Sequence, residues 1–163
     1  MDSLEKRNIK LTFNTALAKI QNWCAYQERS HGEVKEKLYE WNLYPSEVDQ
    51  IISKLIEENF LNEERFVKAY VSGKFRIKKW GRRKIKQGLL QKKVTDKMID
   101  SGLNTIDGDE YEATLADLAM KKFHLIKEKD AFKHKNKLIT YLQSRGYETD
   151  MIFFVLKANN LYK

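Results

Sequence analysis

The sequence predicts an all-α chain: an elongated array of three tandem three-helix repeats of helix-turn-helix type. Three observations carry this. Apolar residues recur at three- and four-residue spacing, and no alternating stretch is long enough for a sheet. One proline and seven glycines punctuate 163 residues, which leaves room for little besides helices and short turns. The chain also repeats itself. Leu38, Leu90 and Leu142 lie 52 residues apart, each in a charged helical stretch followed by a polar break and a second amphipathic stretch. These leucines are expected to occupy equivalent buried positions.

The expected repeats are residues 1–60, including an N-terminal arm, then 61–105 and 106–163. In the first, Phe13, Leu17, Ile20, Trp23 and Cys24 recur at helical spacing. Ser30, followed at the third position by Glu33, reads as a capping box that opens a second helix ending near Asn42. Pro45 suits the first turn of a third helix, which turns Val48, Ile51, Ile52 and Leu55 inward. In the second repeat, Asn62 is the cap, and Phe66, Tyr70 and Ile77 share one face. Trp80-Gly81 breaks the chain, the next helix buries Ile85, Leu89 and Leu90, and Thr95 caps the last. In the third, Asp107 or Asp109 opens a helix through Tyr111, Leu115, Leu118 and Met120. Residues 124–130 form an irregular connector. Two further helices are parted at Arg145-Gly146-Tyr147, where Gly146 is a natural left-handed stop.

The formal charge of +8 is concentrated rather than spread. Residues 65–93 hold twelve lysines and arginines and no acid. Residues 28–64 hold ten acids against four bases, and residues 94–163 hold eleven of each. A field focused on one short segment attracts a polyanion or an acidic protein surface. Surface charge kept only for solubility normally intersperses both signs, so a binding role is the better reading of the block. Its candidate binding residues are Lys68, Lys74, Arg76, Lys78, Lys79, Arg82, Arg83, Lys84, Lys86, Lys92 and Lys93. Lys68, Arg76 and Lys79 are expected to project opposite the apolar face, and Arg83 and Lys84 away from Ile85 and Leu89. The acidic segment reads as an ordinary solvent face. Trp23, Tyr26, Tyr39, Trp41 and Tyr44 read as core or inter-repeat packing. Trp80 is either a helix-end wedge or a ring beside a phosphate site.

Catalytic groups are hard to find. His31, His124 and His134 sit in no HExxH or CxxC frame, and no metal or cofactor is expected. Glu57, Glu58, Glu63 and Glu64 are dense enough to suggest a divalent-ion nuclease, but caps and surface pairs explain them more cheaply. No phosphate-cradling glycine loop or nucleophile–His arrangement is visible. The single cysteine, Cys24, excludes an intramolecular disulfide and fits a reducing cytoplasm. The N-terminal residues MDSLEKRNIKLTF have no apolar core of a secretory signal, and no run approaches membrane-spanning length.

The segment NEERFVKAYVSGKF…WGRRKIKQGLL resembles the RecX family. The matching residues are Glu63-Glu64-Arg65-Phe66-Val67 and Gly81-Arg82-Arg83-Lys84-Ile85 through Leu89. Arg29-Ser30, Glu33-Val34 and Lys37-Leu38 fit the family's opening pattern, and Arg145-Gly146-Tyr147 adds to it. The chain departs from the pattern at Val67, usually Ala, at Gly88, where a helix former is expected, and at Lys93, usually Gly. The resemblance implies a non-enzymatic modulator made of three tandem three-helix units. Such a protein binds the RecA–DNA filament, lies in its groove and suppresses strand exchange, ATP hydrolysis and co-protease activity. The implied partners are RecA in its nucleoprotein filament and single- or double-stranded DNA. A cytoplasmic monomer without membrane contact is expected. The competing class is an independent DNA-binding protein of helix-turn-helix type.

Overall fold

The computed structural model describes residues 9–162; the arm before Ile9 lies outside the described residues. Among these residues there are nine α-helices and no strand. The first three are α1 (Phe13–Tyr26), α2 (His31–Glu40) and α3 (Pro45–Glu57). Next come α4 (Glu63–Arg76), α5 (Arg82–Gln91) and α6 (Asp96–Leu103). The last three are α7 (Gly108–Leu125), α8 (Ala131–Ser144) and α9 (Thr149–Ala158). Helices pack within each successive triplet.

Local chemistry sets the helix starts. The Thr12, Asn62, Thr95, Asp107 and Asp130 side chains each accept from a backbone N–H in the first turn. Ser30 and Glu33 form the expected capping box, and Pro45 opens α3. Of the two candidate caps for α7, Asp107 serves. The third-triplet connector is shorter than expected, because α7 runs on to Leu125.

Each middle helix ends in the same way. Asn42, Lys93 and Gly146 turn the chain through positive φ (60°, 61° and 97°). The following residue, Leu43, Val94 or Tyr147, sends its N–H back to the carbonyl of Leu38, Leu89 or Leu142. This αL turn satisfies a helix-end carbonyl and swings an apolar residue into the core. The repeat is therefore anchored on Leu38, Leu89 and Leu142, all fully buried. Leu90, expected at that place, is 45% exposed. A strict period of 52 fails because the spacing is 51 residues and then 53, and an adjacent leucine absorbed the difference.

Three other expectations are corrected. Ile77 is 77% exposed, because it caps α4 after the buried run Phe66, Val67, Val71 and Phe75. Met120 is exposed, while Ala119 faces the core. Tyr26, Tyr39 and Tyr44 are exposed, whereas Trp23 and Trp41 pack on the first core. Gly88 also has a packing reason: a Cβ there would lie 2.0 Å from the Tyr70 hydroxyl.

Two cores result. One lies within α1–α3 and reaches Leu61. The other is shared by the second and third triplets, from Phe66 to Leu156. At about 1.5–3 kcal/mol per buried aliphatic or aromatic side chain, the shared core ties those triplets firmly. The first junction is polar instead. Arg65 pairs with Glu28 at 2.6 Å, His31 with Glu63 at 3.4 Å and Lys92 with Glu33 at 2.5 Å.

Candidate nucleic-acid interface

The basic segment occupies α4, the turn at residues 77–81 and α5. The start of α5 docks on the end of α8. The Gly81 N–H donates to the Arg145 carbonyl at 2.8 Å, and the Arg83 N–H donates to the Gly146 carbonyl at 2.9 Å. Glycine is required at this crossing: a Cβ on Gly81 would fall 2.4 Å from the Gly146 carbonyl, and one on Gly146 2.4 Å from Lys84 Cβ. The Tyr147 hydroxyl donates to the Lys79 carbonyl at 2.8 Å, and Arg145 donates to the Lys78 carbonyl. The turn carrying Lys78 and Lys79 is thus held from behind, and both side chains are exposed.

The candidate cations divide by what they touch. Arg82 is internal. Its guanidinium pairs with Glu148 at 2.9 Å and lies 3.8 Å from the Tyr111 ring centre. The Tyr111 hydroxyl donates to the other Glu148 oxygen and accepts the Arg82 N–H, closing a ring of three residues. Burial first, then the bond to Glu148, hold the Tyr111 phenol above its ordinary range, so it remains a protonated donor. Lys92 is also engaged, holding Glu33 across the first junction. Lys68 pairs with Glu64 at 3.4 Å and Arg76 with Glu110 at 3.8 Å, both at the surface, where such pairs are weak.

Lys74 and Lys84 lie over the Trp80 ring at 4.7 and 4.6 Å. Trp80 itself packs partly on the shared core. Trp80 is thus partly a wedge in the core, with two ammonium groups over its ring. Lys78, Lys79, Arg83, Lys86 and Lys93 form no ion pair among the described residues. They are the cations whose charge is directed wholly at solvent or a partner.

Catalytic alternatives find no geometry among the described residues. Glu63 and Glu64 are committed to His31 and Lys68. His134 is held between Tyr162 and the Phe123 carbonyl. No three His, Cys, Asp or Glu side chains converge as a metal site, and no described helix is long and apolar enough to cross a membrane. The sequence missed Gln87, Gln143 and Ser144, neutral polar residues beside Arg83 and Lys84. Nothing local marks them, because the α5–α8 crossing brings them together.

Fold and surface together define a tandem three-helix protein with a concentrated cationic face on its middle triplet. The family model described as the second three-helix domain of RecX matches residues 62–103, and that of the third matches residues 109–156. The chain belongs to the RecX family. It is 34% identical over 131 residues to the regulatory protein RecX of Clostridium beijerinckii, covering 79% of this chain and 61% of that protein. It is 32% identical over 160 residues to that of Clostridium acetobutylicum, covering 96% and 72%. The chain thus spans less than two thirds of the Clostridium beijerinckii protein. The crystal structure of RecX from Lactobacillus salivarius shares the fold, with a TM-score of 0.83 at 22% identity over 92% of this chain and 97% of that one.

Proposed function

We propose that this chain is a non-enzymatic regulator that binds the RecA–DNA filament and restrains its recombinase, ATPase and co-protease activities. The observation that carries the proposal is the acid-free basic segment, displayed on a chain of the RecX family with Lys78, Lys79 and Arg83 unpaired at its surface. A nucleoprotein filament is a polyanion, and cations that neutralise its phosphates release counterions; the turn carrying Lys78 and Lys79 is already held by Arg145 and Tyr147. This surface belongs to the second of three units, residues 1–60, 61–105 and 106–163, of a cytoplasmic monomer that works without a cofactor.

The test is co-sedimentation with RecA on single-stranded DNA and a slowly hydrolysed nucleotide, alongside naked DNA. Binding to the filament well above binding to naked DNA supports the proposal. Equal binding to both assigns the chain to independent DNA-binding proteins. Cleavage of DNA by the purified chain with Mg²⁺, lost on Glu63→Ala or Glu64→Ala, would assign it to nucleases.

A further inference from the structure

The cationic surface does not end with the second triplet. At the α5–α8 crossing a cleft of about 280 Å³ is lined by Arg83, Lys84, Gln87, Gln143 and Ser144, with Gly146 at its floor. A second cleft of about 560 Å³ runs between α7 and α8. It is lined by Lys122, Lys127, Asn136, Lys137 and Tyr141, and again by Ser144. Ser144 is common to both, so the two clefts adjoin. Every ionisable group lining them is a cation except the Tyr141 phenol, and no carboxylate lines either. Glu128 is not a lining residue, but it pairs with the lining Lys137 at 3.1 Å and offsets that one cation.

We propose that these clefts form one continuous track for the phosphodiester backbone of single-stranded nucleic acid, crossing from the second triplet into the third. This rests on the reading above that the basic surface meets nucleic acid, and it adds Lys122, Lys127, Gln143 and Ser144 to that surface. Three features select the ligand. Cations and neutral amide or hydroxyl groups, without acids, complement an anion. Two adjoining open clefts suit a chain of anions rather than one ion. The second cleft also has an aromatic ring with an ammonium group over it, Lys122 over Tyr141 at 4.7 Å, whereas Trp80, under Lys84 at 4.6 Å, is not part of the first cleft's lining. An aromatic ring beside a cationic groove gives a base a stacking surface that any sequence can use. The α5 N-terminus adds nothing here. Its N–H groups at Gly81, Arg82 and Arg83 already serve Arg145, Tyr111 and Gly146.

The third triplet as a whole is charge-balanced, so its lysines must differ by position. Lys121 pairs with Asp117 at 2.9 Å, and Lys135 faces Phe153 and Tyr162. Neither lines the track. The test compares Lys122→Glu/Lys127→Glu with the charge-matched Lys121→Glu/Lys135→Glu. The readout is anisotropy of a fluorescein-labelled oligothymidylate across a salt series. The track variant should bind roughly tenfold more weakly at low salt, and its salt slope should flatten by about 1.4, from ~0.7 per lost contact on a single strand. The control should lose no more than about twofold by general field effects. Equal losses in the two variants overturn the track. Should the reversal disturb helix content, Lys122→Gln/Lys127→Gln against Lys121→Gln/Lys135→Gln decides by the same ordering. A third variant, Lys78→Glu/Lys79→Glu/Arg83→Glu, separates the two ideas. If it binds like wild type, the reading of the basic surface fails. If it weakens while Lys122→Glu/Lys127→Glu does not, only the track fails.

Discussion

Adding one methyl group at Gly81 should loosen the junction between the second and third triplets. The new Cβ would lie 2.4 Å from both the carbon and the oxygen of the Gly146 carbonyl and 2.5 Å from the Tyr147 nitrogen. These are backbone atoms, so no rotamer change relieves the overlap. Ordinary contact requires separation by about a further ångström. That shift breaks the Gly81–Arg145 and Arg83–Gly146 hydrogen bonds, each contributing about 0.5–1.5 kcal/mol net. Alanine is also a poorer N-cap than glycine, by about 0.5–1 kcal/mol. Gly81→Ala should therefore destabilise by about 2–4 kcal/mol, lowering Tm by roughly 5–15 °C for a chain of this size. Gly73→Ala is the matched control. Gly73 lies within α4 with nothing within 4 Å of its would-be Cβ, so helix propensity alone acts and stability should rise by about 0.5–1 kcal/mol. Thermal and urea unfolding followed by circular dichroism measures both. If Gly81→Ala is as mild as Gly73→Ala, the crossing is not close-packed, and the cleft built on it loses its support.

Other consequences follow from single residues. Lys93 holds φ 61° where Gly146 stands in the third triplet. The left-handed conformation disfavours an L-residue by about 1–2 kcal/mol and glycine's greater unfolded freedom returns ~0.5–1, so Lys93→Gly should stabilise by about 0.5–1 kcal/mol in urea titration. Arg82 and Arg83 should separate stability from binding. Arg82→Ala breaks the Glu148 pair and the Tyr111 stack and should cost about 1–2 kcal/mol, whereas Arg83→Ala should leave stability within about 0.5 kcal/mol and weaken nucleic-acid binding. Cys24 is buried, and burial pushes its thiol up from 9.0 to about 11. The folded thiol keeps its proton while the unfolded one ionises, so its contribution to stability is full below about pH 9 and is lost as pH rises towards about 11. Cys24→Ser should remove that part of the alkaline slope, and native protein should react slowly with a thiol reagent at neutral pH.

Helix positions were legible because they depend on neighbours in sequence. Ser30 with Glu33, Asn62, Thr95 and Asp107 all cap where their chemistry demands, and Pro45 takes the first turn of α3. The three-fold repeat was legible as well, but its register was not. Leu89 and Leu90 are both apolar, and only the αL turn at Lys93 decides which one faces inward. Ile77 misled for a related reason: a helical wheel assumes that the helix continues, and α4 ends at Arg76. The site was legible as charge and not as geometry. Composition finds twelve cations, yet cannot tell that Arg82 is spent on Glu148, 66 residues away, or Lys92 on Glu33. Likewise, Gln143 and Ser144 carry no charge to mark them, and only the Gly81–Gly146 contact brings them beside Arg83.

The central claim is that cations free at the surface of the second triplet bind the filament. Co-sedimentation of Lys78→Glu/Lys79→Glu/Arg83→Glu with RecA on single-stranded DNA, across a salt series, tests it most directly. All three side chains are exposed and unpaired among the described residues, so helix content should be unchanged. The account predicts markedly weaker binding and a salt slope flatter by about 2, from ~0.7 for each of three phosphate contacts. Wild-type affinity with a wild-type slope would contradict it.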